Sequence, residues 1–172
     1  MVLTSARARF VVKWLALAII GLLMSGCGFQ LRGHAEMKFD RIYVETEGFS
    51  VFAAELRRVI QSNKSVEVTD SPEHAQVVLK VIDERREKKI LALTSTGSVE
   101  EYVLLYQVSY RVMDNKMQDL VAPNDIALQR IMTYKDTETL AKESEEQFLY
   151  RDMQSDAVQQ MLRRLSVVAA KT

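Results

Sequence analysis

Between Glu101 and Met113 the sequence alternates. Tyr102, Leu104, Tyr106, Val108, Tyr110 and Val112 fall on one face of an extended chain, while Glu101, Gln107, Ser109 and Arg111 fall on the other. A period of two sustained this long commits the segment to a strand with one buried face, and turn signals on both sides supply its neighbours. Gly97 precedes the run and Asp114-Asn115-Lys116 follows it, so tight antiparallel turns join it to flanking strands. The expected meander is Ala75–Leu93, Ser98–Met113 and Leu120–Tyr134. The first of these is apolar on both faces from Val77 to Ile82 and then runs into Asp83-Glu84-Arg85-Arg86-Glu87-Lys88-Lys89. Such a strand is expected to begin buried and to project past the sheet into solvent.

The flanking sequence supplies the rest of a two-layer fold. Phe39 to Thr46 is rich in β-branched and aromatic residues and ends at Glu47-Gly48, which predicts a strand entering a turn. A helix follows with Ser50 as its N-cap, because Phe52, Ala53, Leu56, Val59 and Ile60 recur at three- and four-residue spacing; Asn63 closes it. Ser65 to Thr69 reads as a short extended piece, and Asp70-Ser71-Pro72 as a turn. At the other end, Leu149, Met153, Ala157, Met161, Leu165 and Val168 form an amphipathic stripe, with Ser144 and Gln147 placed to form a capping box. The expected fold is α+β: a mixed four-stranded sheet with two helices packed on one face, its first strand joined to the meander by a parallel return. Residues 39–172 form that single domain.

The N-terminal segment is of another kind. Arg7, Arg9 and Lys13 precede an apolar run from Trp14 to Met24, interrupted only by Gly21, that stops at Ser25-Gly26-Cys27. As a helix the run rises only about 16 Å, too short to persist as a membrane span, so residues 1–26 are expected to be a cleaved signal peptide. Leu23-Met24-Ser25-Gly26-Cys27 resembles a bacterial lipobox, whose cysteine receives a diacylglyceryl thioether before cleavage and is then acylated on its new amine. Cys27 is accordingly the expected lipidation site, and residues 27–38 the lipidated tether. One acyl chain holds a protein weakly and several hold it durably. The residue after the cysteine is Gly28 rather than the Asp that commonly retains lipoproteins at the inner membrane, which resembles an outer-membrane address.

Composition excludes several classes of function. The 23 Lys+Arg balance 23 Asp+Glu, and because three of the basic residues precede Cys27 the remainder is net acidic, unlike a nucleic-acid binder. A single cysteine forms no internal disulfide, in keeping with an oxidising compartment where that cysteine is lipidated. His34 and His74 have no partner at metal-ligand spacing, no G-x-S-x-G elbow occurs, and Glu100-Glu101 point to opposite faces of a strand. Neither an enzyme nor a cofactor is expected beyond the covalent lipid on Cys27.

Cys27-Gly28-Phe29-Gln30-Leu31-Arg32-Gly33 resembles the start of mature proteins of the LptE family of lipopolysaccharide-assembly lipoproteins, which commonly begin C-G-aromatic-x-L-R. The order of strand, helix, long meander and final helix is similar over the mature chain, as are Glu101-Tyr102 and Leu140-Ala141-Lys142. This resemblance implies a plug inside the lumen of the large outer-membrane β-barrel LptD, which helps assemble that barrel and binds lipopolysaccharide on its way to the outer leaflet. The family's ligand-binding lysine, in L-A-K-x-x-E, maps onto Lys142. A second basic residue that some relatives carry before the first meander turn is unmatched, since Thr94-Ser95-Thr96-Gly97 is uncharged; Arg85, Arg86, Lys88 and Lys89 on the same strand are the candidates to supply charge instead. Read without the resemblance, Lys142 beside Glu143, Glu145 and Glu146 is a solvated helix entry, and Arg85 to Lys89 a mixed-charge strand end. The chain as a whole would then be a generic outer-membrane lipoprotein facing the periplasm, binding another ligand or scaffolding another envelope complex.

Overall fold

The computed structural model describes residues 37–62, 66–135 and 139–168. The lipobox, Cys27, His34 and the tether as far as Glu36 lie outside the described residues, as does Asn63; the last two residues of the expected tether, Met37 and Lys38, are described, and Met37 packs against the core. Elements follow in the order β1 (Arg41–Thr46), α1 (Val51–Ser62), β2 (Glu67–Val68), a 3₁₀ turn (Pro72–His74), β3 (Val77–Leu93), β4 (Val99–Met113), β5 (Asp119–Thr133) and α2 (Thr139–Leu165). The sheet order is β2-β1-β3-β4-β5. β1 pairs in parallel with β2 and β3, and the meander is antiparallel.

The sheet therefore has five strands where the sequence predicts four. The additional one is the extended piece around Glu67-Val68, pinned to β1 by Glu67 N–H donating to Asp40 O at 2.8 Å and Thr69 N–H to Ile42 O at 2.9 Å. The parallel return and the placing of both helices on one face are as expected.

One core lies between sheet and helices. It joins Ile42 and Val44 of β1, Phe52, Leu56 and Ile60 of α1, the alternating side chains of β4, and Met153, Ala157, Met161 and Leu165 of α2. A smaller cluster of Ala75, Val78 and Met113 with Tyr43 lies on the opposite face. This is why the start of β3 is apolar on both sides: Val77, Leu79 and Val81 enter the main core, and Val78 enters the second.

The charged half of β3 corrects the sequence reading. It does not leave the sheet, because pairing with β4 continues from Lys88↔Leu104 to Leu93↔Val99. What it loses is β1, whose last pairing is Thr46↔Val81. Beyond that point no strand among the described residues covers the outer edge of β3. A register shift between Val81 and Asp83 falls at this boundary. A bulge exchanges the faces of all later side chains, so Glu84, Arg86, Lys88 and Ile90 lie on the helix side, opposite Val108, Tyr106, Leu104 and Tyr102. Asp83, Arg85, Glu87 and Lys89 take the open side.

Both meander turns have the same hydrogen bonds. Thr94 N–H reaches Ser98 O at 2.8 Å and Gly97 N–H reaches Thr94 O at 3.0 Å; Asp114 N–H reaches Gln118 O at 2.9 Å and Met117 N–H reaches Asp114 O at 3.1 Å. The fourth residue of each is left-handed, with φ +84° at Gly97 and +60° at Met117. Glycine suits that position and methionine does not.

Helix α1 begins as expected, with Ser50 Oγ accepting from Ala53 N–H at 3.0 Å. Helix α2 does not. It starts at Thr139, so Ser144 lies inside it and its hydroxyl donates back to Leu140 O at 3.2 Å instead of capping the end. Leu140, Ala141, Lys142 and Glu143 are favourable helix residues, and they extend the helix a turn ahead of the apparent box.

Candidate functional site

The five cations named from the sequence separate into three environments. Lys142 lies in the first turns of α2 with its side chain only 13% exposed; its ammonium donates to Glu145 Oε2 at 2.8 Å and to Thr133 Oγ1, at the end of β5, at 3.4 Å. Lys88, on the helix side of β3, pairs with Glu146 Oε2 at 2.6 Å. Its ammonium lies 4.2 Å from the Tyr102 ring centroid and 6.0 Å from that of Tyr134. Those two rings meet edge to face at 5.2 Å. Consecutive carboxylates of one helical turn thus hold Lys142 and Lys88 at one end of the domain, where Lys88 lies over an aromatic pair that attracts cations.

Arg86 is a structural arginine. Its guanidinium donates to Gln154 Oε1 at 2.9 Å and lies 5.7 and 5.5 Å from the ring centroids of Tyr106 and Tyr150. Gln154 is buried and its amide continues to Glu55 of α1. Arg85 and Lys89 face the other side of the sheet, 61% and 60% exposed, and close pairs along their own strand with Asp83 at 2.6 Å and Glu87 at 2.7 Å. The hydrogen bond from Lys89 lowers the pKa of Glu87. Lys88 and Lys142 are brought together; Arg85, Arg86 and Lys89 do not join them.

A second polar group, unseen in the sequence, ties the layers together. Glu84 Oε2 accepts from Ser50 Oγ at 2.7 Å and from Phe52 N–H at 3.2 Å, and its Oε1 accepts from the Tyr106 hydroxyl at 2.7 Å. A strand carboxylate therefore reinforces the cap of α1, where the helix dipole favours negative charge. Burial, and then the Glu84 carboxylate, push the Tyr106 phenol far above its ordinary value. Tyr150 is raised as well, by burial and then by the charge of Glu146, and its hydroxyl donates to Glu87 O at 2.8 Å. Nothing in the local spacing pairs Ser50 with Glu84; the bulge that turns Glu84 inward is the signal, and it carries no sequence mark.

The turn at Thr94-Ser95-Thr96-Gly97 is held by its own hydroxyls. Thr94 Oγ1 lies 2.9 Å from Thr96 Oγ1 and accepts from Ser98 N–H at 3.1 Å, while Ser95 is exposed.

Residues 39–165 match the family model described as LptE, lipopolysaccharide-assembly. The chain belongs to the LptE family. A protein of Yersinia enterocolitica named LPS-assembly lipoprotein LptE is 26% identical over 95% of this chain and 79% of its own length. A Yersinia pestis protein of the same name is 25% identical over the same shares. The solution structure of lipoprotein B from Nitrosomonas europaea superposes with a TM-score of 0.72, at 38% identity over 81% of this chain and 90% of that one. The crystal structure of rare lipoprotein B from Shewanella oneidensis shares the fold, with a TM-score of 0.65 at 23% identity over 74% and 94% of the two chains. This LptE-family protein is thus a lipopolysaccharide-assembly lipoprotein of a Gram-negative envelope. Among its described residues no helix is long and apolar enough to cross a membrane.

Proposed function

We propose that this LptE-family chain is anchored to the outer membrane by acyl chains on Cys27, plugs and helps assemble an LptD-type β-barrel, and binds lipopolysaccharide at the end of the domain formed by Lys142 and Lys88. No catalytic step belongs to this role. The observation that carries the binding reading is that consecutive carboxylates of α2 hold these two ammonium groups, with Lys88 over Tyr102 and Tyr134. The same stretch of α2 exposes Leu140 and Phe148. Cations beside exposed apolar side chains suit an amphiphile that carries both phosphates and acyl chains. The plug reading is supported by family membership.

Binding is tested by titrating lipopolysaccharide onto the protein and its Lys142→Glu variant. The variant should bind more weakly, and equal affinity would reject Lys142 as a ligand residue. The barrel partnership predicts recovery of a stoichiometric complex with a large outer-membrane barrel after mild detergent extraction; a monomer recovered alone would count against it. Metabolic labelling with a tagged palmitate should mark wild type and not Cys27→Ser.

A further inference from the structure

We infer that Glu145 and Glu146 are resident counter-anions that compete with ligand phosphate for Lys142 and Lys88 and so, on the proposed function of that end, set how much of its affinity comes from phosphate. The two carboxylates follow one another on α2, and each closes on a different lysine. Glu145 Oε2 accepts from Lys142 Nζ at 2.8 Å within the helix, and Glu146 Oε2 accepts from Lys88 Nζ of β3 at 2.6 Å. The second pair joins residues 58 positions apart, so it is a feature of the fold and not of the helix alone.

Neither lysine is left free for an arriving anion. An ammonium has three N–H groups to donate. Lys142 directs one to Glu145 and another to Thr133 Oγ1 at 3.4 Å, and its side chain is only 13% exposed. Lys88 directs one to Glu146 and lies with its nitrogen 4.2 Å from the Tyr102 ring centroid. The Lys88 and Glu146 side chains are 33% and 24% exposed, so water screens their attraction only in part.

A carboxylate beside a binding lysine either aims it or competes for it. Aiming adds little here, because the Tyr102 ring already holds the Lys88 ammonium from one side. Competition is the larger effect. Two oxygens bonded to one tetrahedral ammonium lie about 4.4 Å apart, where like charges repel enough to weaken binding roughly fivefold for each unit of ligand charge, even at the screening of bulk water. Lysine suits such an exchange, since its ammonium is a point charge on a flexible stem and passes between anions without the fixed fork of arginine. A ligand admitted in this way also leaves readily, because the carboxylates return to the lysines as the phosphate departs.

The test titrates intact and dephosphorylated lipopolysaccharide onto the mature lipoprotein in detergent at two salt concentrations. Glu146→Gln keeps an acceptor oxygen of the same reach and removes the charge, so the fold is retained, which the urea midpoint checks. The preference for the phosphorylated over the dephosphorylated form should rise at least about fivefold above that of wild type, and binding should become more sensitive to salt. A carboxylate that only braced the fold or aimed Lys88 gives the opposite, weaker binding of the phosphorylated form. Glu145→Gln should act in the same direction through Lys142. Adding Lys88→Gln to Glu146→Gln should abolish the gain. Glu143, exposed on the same helix, closes no ion pair among the described residues; Glu143→Gln removes the same charge and should leave the preference nearly unchanged. No gain in Glu146→Gln, a gain that survives the loss of Lys88, or an equal gain in Glu143→Gln would each overturn the competition while leaving the site standing. Equal affinity of wild type and Lys142→Glu for intact lipopolysaccharide instead refutes the proposed binding site, and the competition with it.

Discussion

Glu84 is the residue whose removal tells most about how this fold is held. Its carboxylate accepts three hydrogen bonds, from the Ser50 hydroxyl, the Phe52 amide and the Tyr106 hydroxyl, at 2.7, 3.2 and 2.7 Å. In Glu84→Ala the Ser50 hydroxyl, on a half-buried residue, can regain water, so its loss costs the net value of a bond, whereas Phe52 is fully buried and its amide loses an acceptor that water does not readily replace. Tyr106 is fully buried as a residue, and its hydroxyl is left without its acceptor. Hydrogen bonds to charged groups contribute roughly 1.5–3 kcal/mol and an orphaned buried donor costs about 1–3 kcal/mol. With the Ser50 bond discounted and two buried donors orphaned, the expected loss is roughly 2–6 kcal/mol. Glu84→Gln keeps an acceptor oxygen and offers Tyr106 an amide, and it should lose about 1 kcal/mol.

Urea unfolding monitored by far-UV dichroism measures these losses from the shift in midpoint at constant slope. A double-mutant cycle with Tyr106→Phe separates the two ends of the carboxylate. If the orphaned hydroxyl dominates, Glu84→Ala/Tyr106→Phe should be less destabilised than the sum of the single variants by about 1 kcal/mol. A Glu84→Ala loss below about 0.5 kcal/mol, or strictly additive variants, would refute the assignment of Glu84 as the pin between β3, β4 and α1.

Tyr106 also gives a pH dependence: its raised pKa means that the folded state holds the phenolic proton more tightly than the unfolded chain, so stability is intact below the unfolded value near 10 and falls as pH rises above it. Tyr106→Phe should flatten that alkaline fall, measured as urea midpoint against pH. Met117→Gly relieves a left-handed methionine in an exposed turn and should raise stability by roughly 0.5 kcal/mol, since the strain removed exceeds the chain entropy added; an unchanged midpoint would show that the turn absorbs the strain. Met161→Ala empties a fully buried site between α2 and the sheet and should cost about 2–5 kcal/mol in the same assay.

What the sequence made legible follows from which features leave a periodic trace. The β4 alternation placed six side chains correctly because one face packs on helices and the other does not, and the α1 cap at Ser50 was legible because capping is local. The two-residue β2 was not legible as a strand, for a segment that short has no period; only its parallel pairing with β1 defines it. The bulge after Val81 was invisible too. Because the face exchange follows it, the sequence could not show that Glu84, Arg86 and Lys88 turn inward while Arg85 and Lys89 turn away. Lys142 was found through family likeness, and its partner Glu145 is one helical turn away. The link from Lys88 to Glu146, 58 residues apart, is a product of tertiary structure.

The pairing of these lysines bears on what they could recognise. Each ammonium at the Lys142 end already has a carboxylate at hydrogen-bond distance, at 2.8 Å for Lys142 and 2.6 Å for Lys88, so an arriving phosphate exchanges one anion for another rather than filling an empty positive site. Exchange of one anion for another yields little net Coulomb energy, and less as salt rises. Charge alone then makes a poor ligand of a bare phosphate. A ligand that also covers Leu140 and Phe148 gains at about 25 cal/mol for each Å² of apolar surface removed from water, a term that salt does not screen. On the proposed function, affinity should therefore track the acyl chains more than the phosphates: removing the chains from lipopolysaccharide should weaken binding more than raising the salt does, and Phe148→Ser should weaken it as much as Lys142→Glu. Titration of intact and deacylated lipopolysaccharide at two salt concentrations decides this, and equal binding of the two forms would sink the amphiphile reading of that end.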